Sequence, residues 1–224
     1  MTIKRNYLLT FLYMVFLSSC FASCLTSKKM DAYVASQYGN ELPKPKKGKA
    51  DIVVGSVFTS ANSFISTTVT KTSHFLPLIV YIQYDYRHTC TLNPLIGVAQ
   101  FAKAINAQYT KLSPKLNGGE LELTVEQVPS AFALVDKGHL VLLTIGWERV
   151  YVEPDFKDLV VSYKLRRNNA VIKEGKIDVK NHEKERNTGV FQSWKSSIRE
   201  YLSAYDANMT AMSRDFINQL TEQL

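Results

Sequence analysis

Cysteine, glycine and proline are scarce: 3, 10 and 7 in 224 residues. Three cysteines cannot frame a disulfide scaffold. So little glycine and proline excludes a collagen-like or linker-rich chain. There is no internal repeat and no low-complexity tract beyond Lys44-Pro45-Lys46-Lys47-Gly48-Lys49. The chain also lacks HExxH, CxxC, Gly-x-Ser-x-Gly and both phosphate-cradling glycine loops, so no catalytic motif stands out. What is there is an ordinary globular balance of 46% apolar and 21% charged residues.

The net charge of +7 invites a nucleic-acid reading, but the excess is local. Residues 1–49 hold eight cationic side chains against Asp31 and Glu41, while residues 50–224 carry 19 cationic and 18 acidic groups. Phosphate binding draws most of its affinity from clustered lysine and arginine on a folded surface, and this body has no such excess. No nucleic-acid partner is expected.

Lys4 and Arg5 followed by the uncharged run Leu8–Leu17 read as an export signal. The run is too short to span a bilayer, and its extension through Leu25 is rich in serine and cysteine, which makes a poor signal anchor. Leu17-Ser18-Ser19-Cys20 resembles the bacterial lipobox, in which a branched apolar and two small residues precede a cysteine that is diacylated as the chain is cut before it. Cys20 is the expected anchor. Phe21-Ala22-Ser23-Cys24 makes Cys24 the alternative, and an ordinary signal cleaved near Ala22 is the plainer reading. Residues 1–19 are therefore read as a lipoprotein signal peptide, 20–49 as a lipidated N-terminus and polar Lys/Pro tether, and 50–224 as one domain.

Within the body, Ile52–Phe58, Phe64–Val69, Leu78–His88, Glu120–Val128, Leu140–Val152, Leu159–Arg167 and Val171–Val179 read as strands. Asn168-Asn169 suits a tight hairpin, because asparagine tolerates positive φ. Asn93-Pro94 opens a helix over about Leu95–Tyr109, and Phe191 to Leu220 carries an apolar stripe of some 30 residues with Asn187 or Thr188 as the N-cap. The expected fold is α+β: a single, mostly antiparallel twisted sheet backed by two helices, the C-terminal one long and amphipathic.

Chemical candidates are few. His88-x-Cys90 would share a strand face, but two ligands do not make a metal site, and none is expected. Glu120, Glu122 and Glu126, and the set Glu148, Glu153, Asp155 and Asp158, read as solvated carboxylates. No catalytic residue and no cofactor is expected. Tyr81, Tyr84 and Tyr86 with Trp194, Tyr201 and Tyr205 could line an apolar groove between sheet and helix. At ~45 Å the last helix outruns a small sheet, so Met209, Met212, Phe216 and Leu220 are expected to project as a docking surface, with Tyr81 and Tyr205 flanking a ligand.

Lipobox, Lys/Pro tether, strand meander, tight hairpin and long C-terminal helix together resemble the small outer-membrane accessory lipoproteins of Gram-negative bacteria, in particular the auxiliary lipoproteins of ABC-type lipid transport. The resemblance implies a palmitate-bearing lipoprotein at the outer membrane, facing the periplasm. Its implied role is a non-catalytic accessory subunit of an envelope assembly, bound to the membrane by its lipid and to an envelope protein partner. An apolar-ligand-binding periplasmic lipoprotein without a protein partner is the alternative.

Overall fold

The computed structural model describes residues 25–38, 51–59, 65–76, 81–141, 144–189 and 192–224; at 76, 140, 141, 144, 145, 147 and 148 only the backbone is described. Nine strands form two sheets among these residues. One has the order β1 (Ile52–Ser56), β4 (Glu120–Gln127), β7 (Leu159–Arg167), β8 (Ala170–Val179). The other has the order β2 (Ser66–Leu76), β3 (Tyr81–Thr91), β5 (Ala131–Val141), β6 (Thr144–Pro154), β9 (Arg186–Asn187). All pairings are antiparallel except β1 with β4. The helices are α1 (Ser27–Gln37), α2 (Pro94–Ala107), α3 (Tyr109–Leu116) and α4 (Trp194–Gln223).

The fold is α+β with a long C-terminal helix, but the single sheet and two helices expected from the sequence become two sheets and four helices among the described residues. The sheets run into one another. β4 leads into β5 through Val128-Pro129-Ser130, and β6 into β7 through Asp155–Asp158. The Asp155 carboxylate accepts from Ser130 N at 2.9 Å, Gln127 Nε2 donates to Asp158 O at 3.2 Å, and Leu92 N donates to Ser130 O at 2.8 Å. Chain breaks that read as loops are thus bends at which one strand pair changes sheet.

Local chemistry sets the element ends. The Asn93 side chain accepts from Leu95 N at 3.0 Å with Pro94 in the first turn, and α4 is capped by Ser193, whose Oγ accepts from Ser196 N at 3.2 Å. The cap expected at Asn187 or Thr188 lies upstream, where Arg186–Asn187 forms β9. Asn168 and Asn169 take φ 51° and 63°, the paired positive values of a type I′ hairpin.

The core lies between the helices and the concave faces of both sheets. Leu121, Leu123 and Val125 of β4 and Val161, Tyr163 and Leu165 of β7 point inward. The opposite face is solvated: Glu122 pairs with Arg166 at 3.5 Å and Glu126 with Lys176 at 2.5 Å. Those carboxylates have cationic neighbours on adjoining strands, as a wet sheet face requires.

The segment read as a tether behaves differently. Thr26 caps α1 through Lys29 N at 3.3 Å, and Met30 and Val34 are completely buried in the main core. Asp31 accepts from Thr67 Oγ1 at 2.5 Å, and the Tyr33 ring meets Trp194 edge-on at 5.4 Å. Residues 20–24, with Cys20 and Cys24, and 39–49, the rest of the expected tether, lie outside the described residues, as does Phe191.

Candidate functional site

The residues expected to form a projecting surface are core residues. Met209, Phe216 and Leu220 are fully buried and Met212 nearly so. The reason is the second sheet. The N-terminal half of α4 packs on β5, where the Tyr201 ring lies 4.6 Å from Phe132, and the C-terminal half packs over β7 and β8, with Tyr163 Oη donating to Gln223 Oε1 at 2.8 Å. A 30-residue helix therefore finds a floor along its whole length.

Tyr81 and Tyr205 do not share a groove. Tyr205 is buried, its hydroxyl donating to Pro129 O at 2.9 Å, whereas Tyr81 pairs with Val141 at the far end of β5 and stacks on His139 at 5.9 Å. About ten strand residues, ~34 Å, separate the two levels. Burial pushes the Tyr201 and Tyr205 phenols well above their ordinary range.

Cys90 is buried and its thiol is pushed up to about 12, first by desolvation, so at neutral pH it offers neither nucleophile nor thiolate ligand. His88 on the same face is buried, with Nδ1 lacking a partner, and its pKa is lowered by burial and then by Lys71. Among the described residues no three His, Cys, Asp or Glu side chains converge in the way a metal ion requires.

An open groove of about 400 Å³ lies on the outer face of the five-stranded sheet. Ala131 and Ala133 of β5 line it, and Arg87 of β3, opposite Val135, reaches past Ala133 to Glu153 of β6 in a two-pronged ion pair, Nη1–Oε2 2.8 Å and Nη2–Oε1 2.7 Å. The guanidinium holds the Glu153 carboxyl below its usual range. The small side chain of Ala133 at this register leaves room for the long side chains to meet over the central strand. Phe156, 54% exposed, and Lys157 make the rim. Next to the groove, Ala133, Val135 and Tyr151 form a small second core, and the Arg149 guanidinium lies 4.2 Å above the Tyr151 ring while pairing with Glu185 at 2.8 Å. This arrangement offers an exposed aromatic anchor, small floor residues and a fixed charge pair. Those are features of a docking surface for a protein side chain or strand.

Sequence reasoning missed this groove. Its signal was weak: Ala131-Phe132-Ala133 alternates small and large residues, but Arg87 and Glu153 lie 66 positions apart and meet only through the register of three strands.

One acid carries a buried carboxylate. Glu183 follows Asn181, whose backbone and amide nitrogens donate to Asp158 Oδ1 and Asp155 O and whose Oδ1 accepts from Asn208 of α4. Both Glu183 carboxylate oxygens are buried without a partner, and desolvation raises its pKa to about 7. The folded state holds this proton more tightly than the unfolded chain does. The contribution to stability is complete below the ordinary value of 4.5 and is lost as pH rises through about 7. Glu183→Gln should therefore flatten the fall in melting temperature between pH 5 and 8, and identical profiles for the two proteins would exclude a buried charge here.

No protein-family model matches the chain, and no curated protein or solved structure matches it.

Proposed function

We propose that the protein is a lipid-anchored adaptor of the bacterial cell envelope, similar in role to the auxiliary lipoproteins of ABC-type lipid transport. It is acylated at Cys20, faces the periplasm from the outer membrane and holds a protein partner without catalysing a reaction. The observation that carries this reading is Leu17-Ser18-Ser19-Cys20 at the end of a charged-then-apolar start, followed by a core helix that already begins at Ser27. Three acyl chains at ~0.8 kcal/mol per buried methylene would make release negligible. The body, with nearly balanced charge, would dock its partner through the Arg87–Glu153 groove and Phe156, since α4 keeps its stripe for the core.

Fatty-acid labelling tests the anchor. Cys20→Ala should abolish labelling and leave an uncleaved precursor. Labelling that survives in Cys20→Ala and vanishes in Cys24→Ala moves the anchor to Cys24, and an unlabelled wild-type chain sinks the reading. In the same cells, a photocrosslinker at Phe156 should capture one envelope protein.

A further inference from the structure

Among the described residues the two sheets have four edges, and three of them are guarded. β1 is only five residues long. β8 carries Lys173, Glu174, Lys176 and Asp178 and a register shift opposite Leu165 and Arg166. At the far side of the larger sheet, β9 covers Tyr151 and Val152 of β6, and Arg149 bonds to Glu185 and Asn187 beside it. Short length, charge, irregularity and cover are the devices that keep a strand edge from pairing with another chain. β2 shows none of them among the described residues. It pairs with β3 over 11 residues without a register shift, contains no proline and ends the strand order. Its one charged side chain, Lys71, turns back over the Tyr86 ring of β3, with the ammonium nitrogen 5.3 Å from the ring centre.

The ladder fixes which backbone groups this edge leaves free. Leu92 N donates to Ser130 O, so the even-numbered residues of β3 bond to β5 and the odd-numbered ones to β2. Through the register Ser66–Thr91, the even-numbered residues of β2 answer them. The N–H and C=O groups of Thr67, Val69, Lys71, Ser73 and Phe75 therefore point away from the sheet, and no described backbone group bonds to them. Such a row of unpaired main-chain groups is a template for another strand.

We propose that β2 pairs antiparallel with β2 of a second copy of this chain, about a twofold axis at Thr70, joining the two five-stranded sheets into one. The strand's own sequence selects this occupant. Outward-pointing groups meet only when odd-numbered residues face odd-numbered ones, so the permitted registers differ by two residues. The register with the longest overlap, about Lys71, sets Lys71 against Lys71, and like charges directly opposite destabilise a pair. The neighbouring register, about Thr70, removes that clash. It places Thr70 opposite Thr70, Thr68 opposite Thr72, Thr67 opposite Ser73 and Val69 opposite the Lys71 stem. Hydroxyl pairs of this kind stabilise a sheet, and Thr68, Thr70 and Thr72 are exposed in the single chain. An edge of about ten residues is ~34 Å long on a sheet ~10 Å thick and buries ~700 Å² over both copies, below the ~1,000 Å² of a stable interface. The dimer is accordingly weak and is detected by trapping rather than by size. The pairing rests on the edge of β2 and is independent of the lipid anchor and of the Arg87–Glu153 groove.

Oxidative trapping in the full-length chain tests it, with the wild-type protein and its own cysteines as background. Across the axis Thr70 faces itself as a non-hydrogen-bonded pair with Cα atoms ~4.5 Å apart, within disulfide range. Thr70→Cys should therefore give roughly tenfold more dimer than wild type under mild oxidation. Thr68→Cys and Thr72→Cys should each stay at background alone and cross-link when mixed, because each faces the other across the axis. Thr70→Cys that stays at background, or Thr68→Cys that is trapped alone as readily, overturns the pairing. A dimer formed through Thr72→Cys alone overturns the register, and with it the twofold axis at Thr70. A mixed disulfide between Thr70→Cys and another protein overturns the choice of a second copy as occupant.

Discussion

Phe216→Ala is expected to cost about 3–5 kcal/mol of stability, the range for a phenylalanine removed from a packed core. Its ring is fully buried and meets Phe101 of α2 edge-on at 5.2 Å. It sits between Met212 and Leu220 on the half of α4 that the second sheet covers. For a domain of this size each kcal/mol shifts the melting temperature by ~2–4 °C, so a fall of about 10 °C is expected. Met212→Ala together with Phe216→Ala should be worse still, because the two positions share one stretch of core. Gln219→Ala, exposed on the same turn, should change stability by less than ~0.5 kcal/mol. A Phe216→Ala protein that melts with the Gln219→Ala control would mean that the C-terminal half of α4 is not packed, and would return that stripe to consideration as a docking surface.

The second large effect is expected at Met30. Met30→Asp places an unpaired carboxylate at a position with no solvent exposure, against the joint core of both sheets. Burying such a charge without a partner costs several kcal/mol even after the group shifts its pKa. A domain with ~5–15 kcal/mol in hand should lose most of its cooperative unfolding transition. Ala32→Asp, on the exposed side of α1, serves as the control and should melt close to wild type. If both variants melt alike, α1 is an appendage rather than part of the domain. On the anchor proposed at Cys20, packing of α1 in the core would hold the body close to the bilayer instead of letting it swing on a tether.

The larger sheet and its groove were visible in the sequence only as fragments. Tyr81, Tyr84 and Tyr86 stood out as aromatic strand residues, and their assignment to a ligand groove under α4 placed them on the right strand at the wrong distance from the helix. Residues 131–139 did not read as a strand, since Ala131, Ala133, Gly138 and the charged Asp136-Lys137 pair dilute the β-pattern, and only Leu140 and Val141 fell in an expected strand. Yet β5 is the central strand of its sheet, and its small residues are what let Arg87 and Tyr84 lie across it. α1 escaped notice because it buries only two side chains in the described structure, Met30 and Val34, too few to distinguish an amphipathic helix from a spacer. α3 was lost to Pro114, which a two-turn helix accommodates at the cost of a single backbone bond.

What the sequence by itself determined was the face each strong element turns inward. Alternation in Leu121–Val125 and Val161–Leu165, the paired asparagines of the β7–β8 turn, the Asn93-Pro94 helix start and the stripe of α4 are local patterns with periods of two and 3.6, and steric and solvation rules act on them residue by residue. What meets those faces was decided only by the tertiary structure. Two sheets instead of one, a floor beneath all of α4 and the Arg87–Glu153 bridge depend on long-range register and on the bends at Val128–Ser130 and Asp155–Asp158. Periodicity specifies an apolar face, but the partner that buries it is selected by the packing of the whole chain.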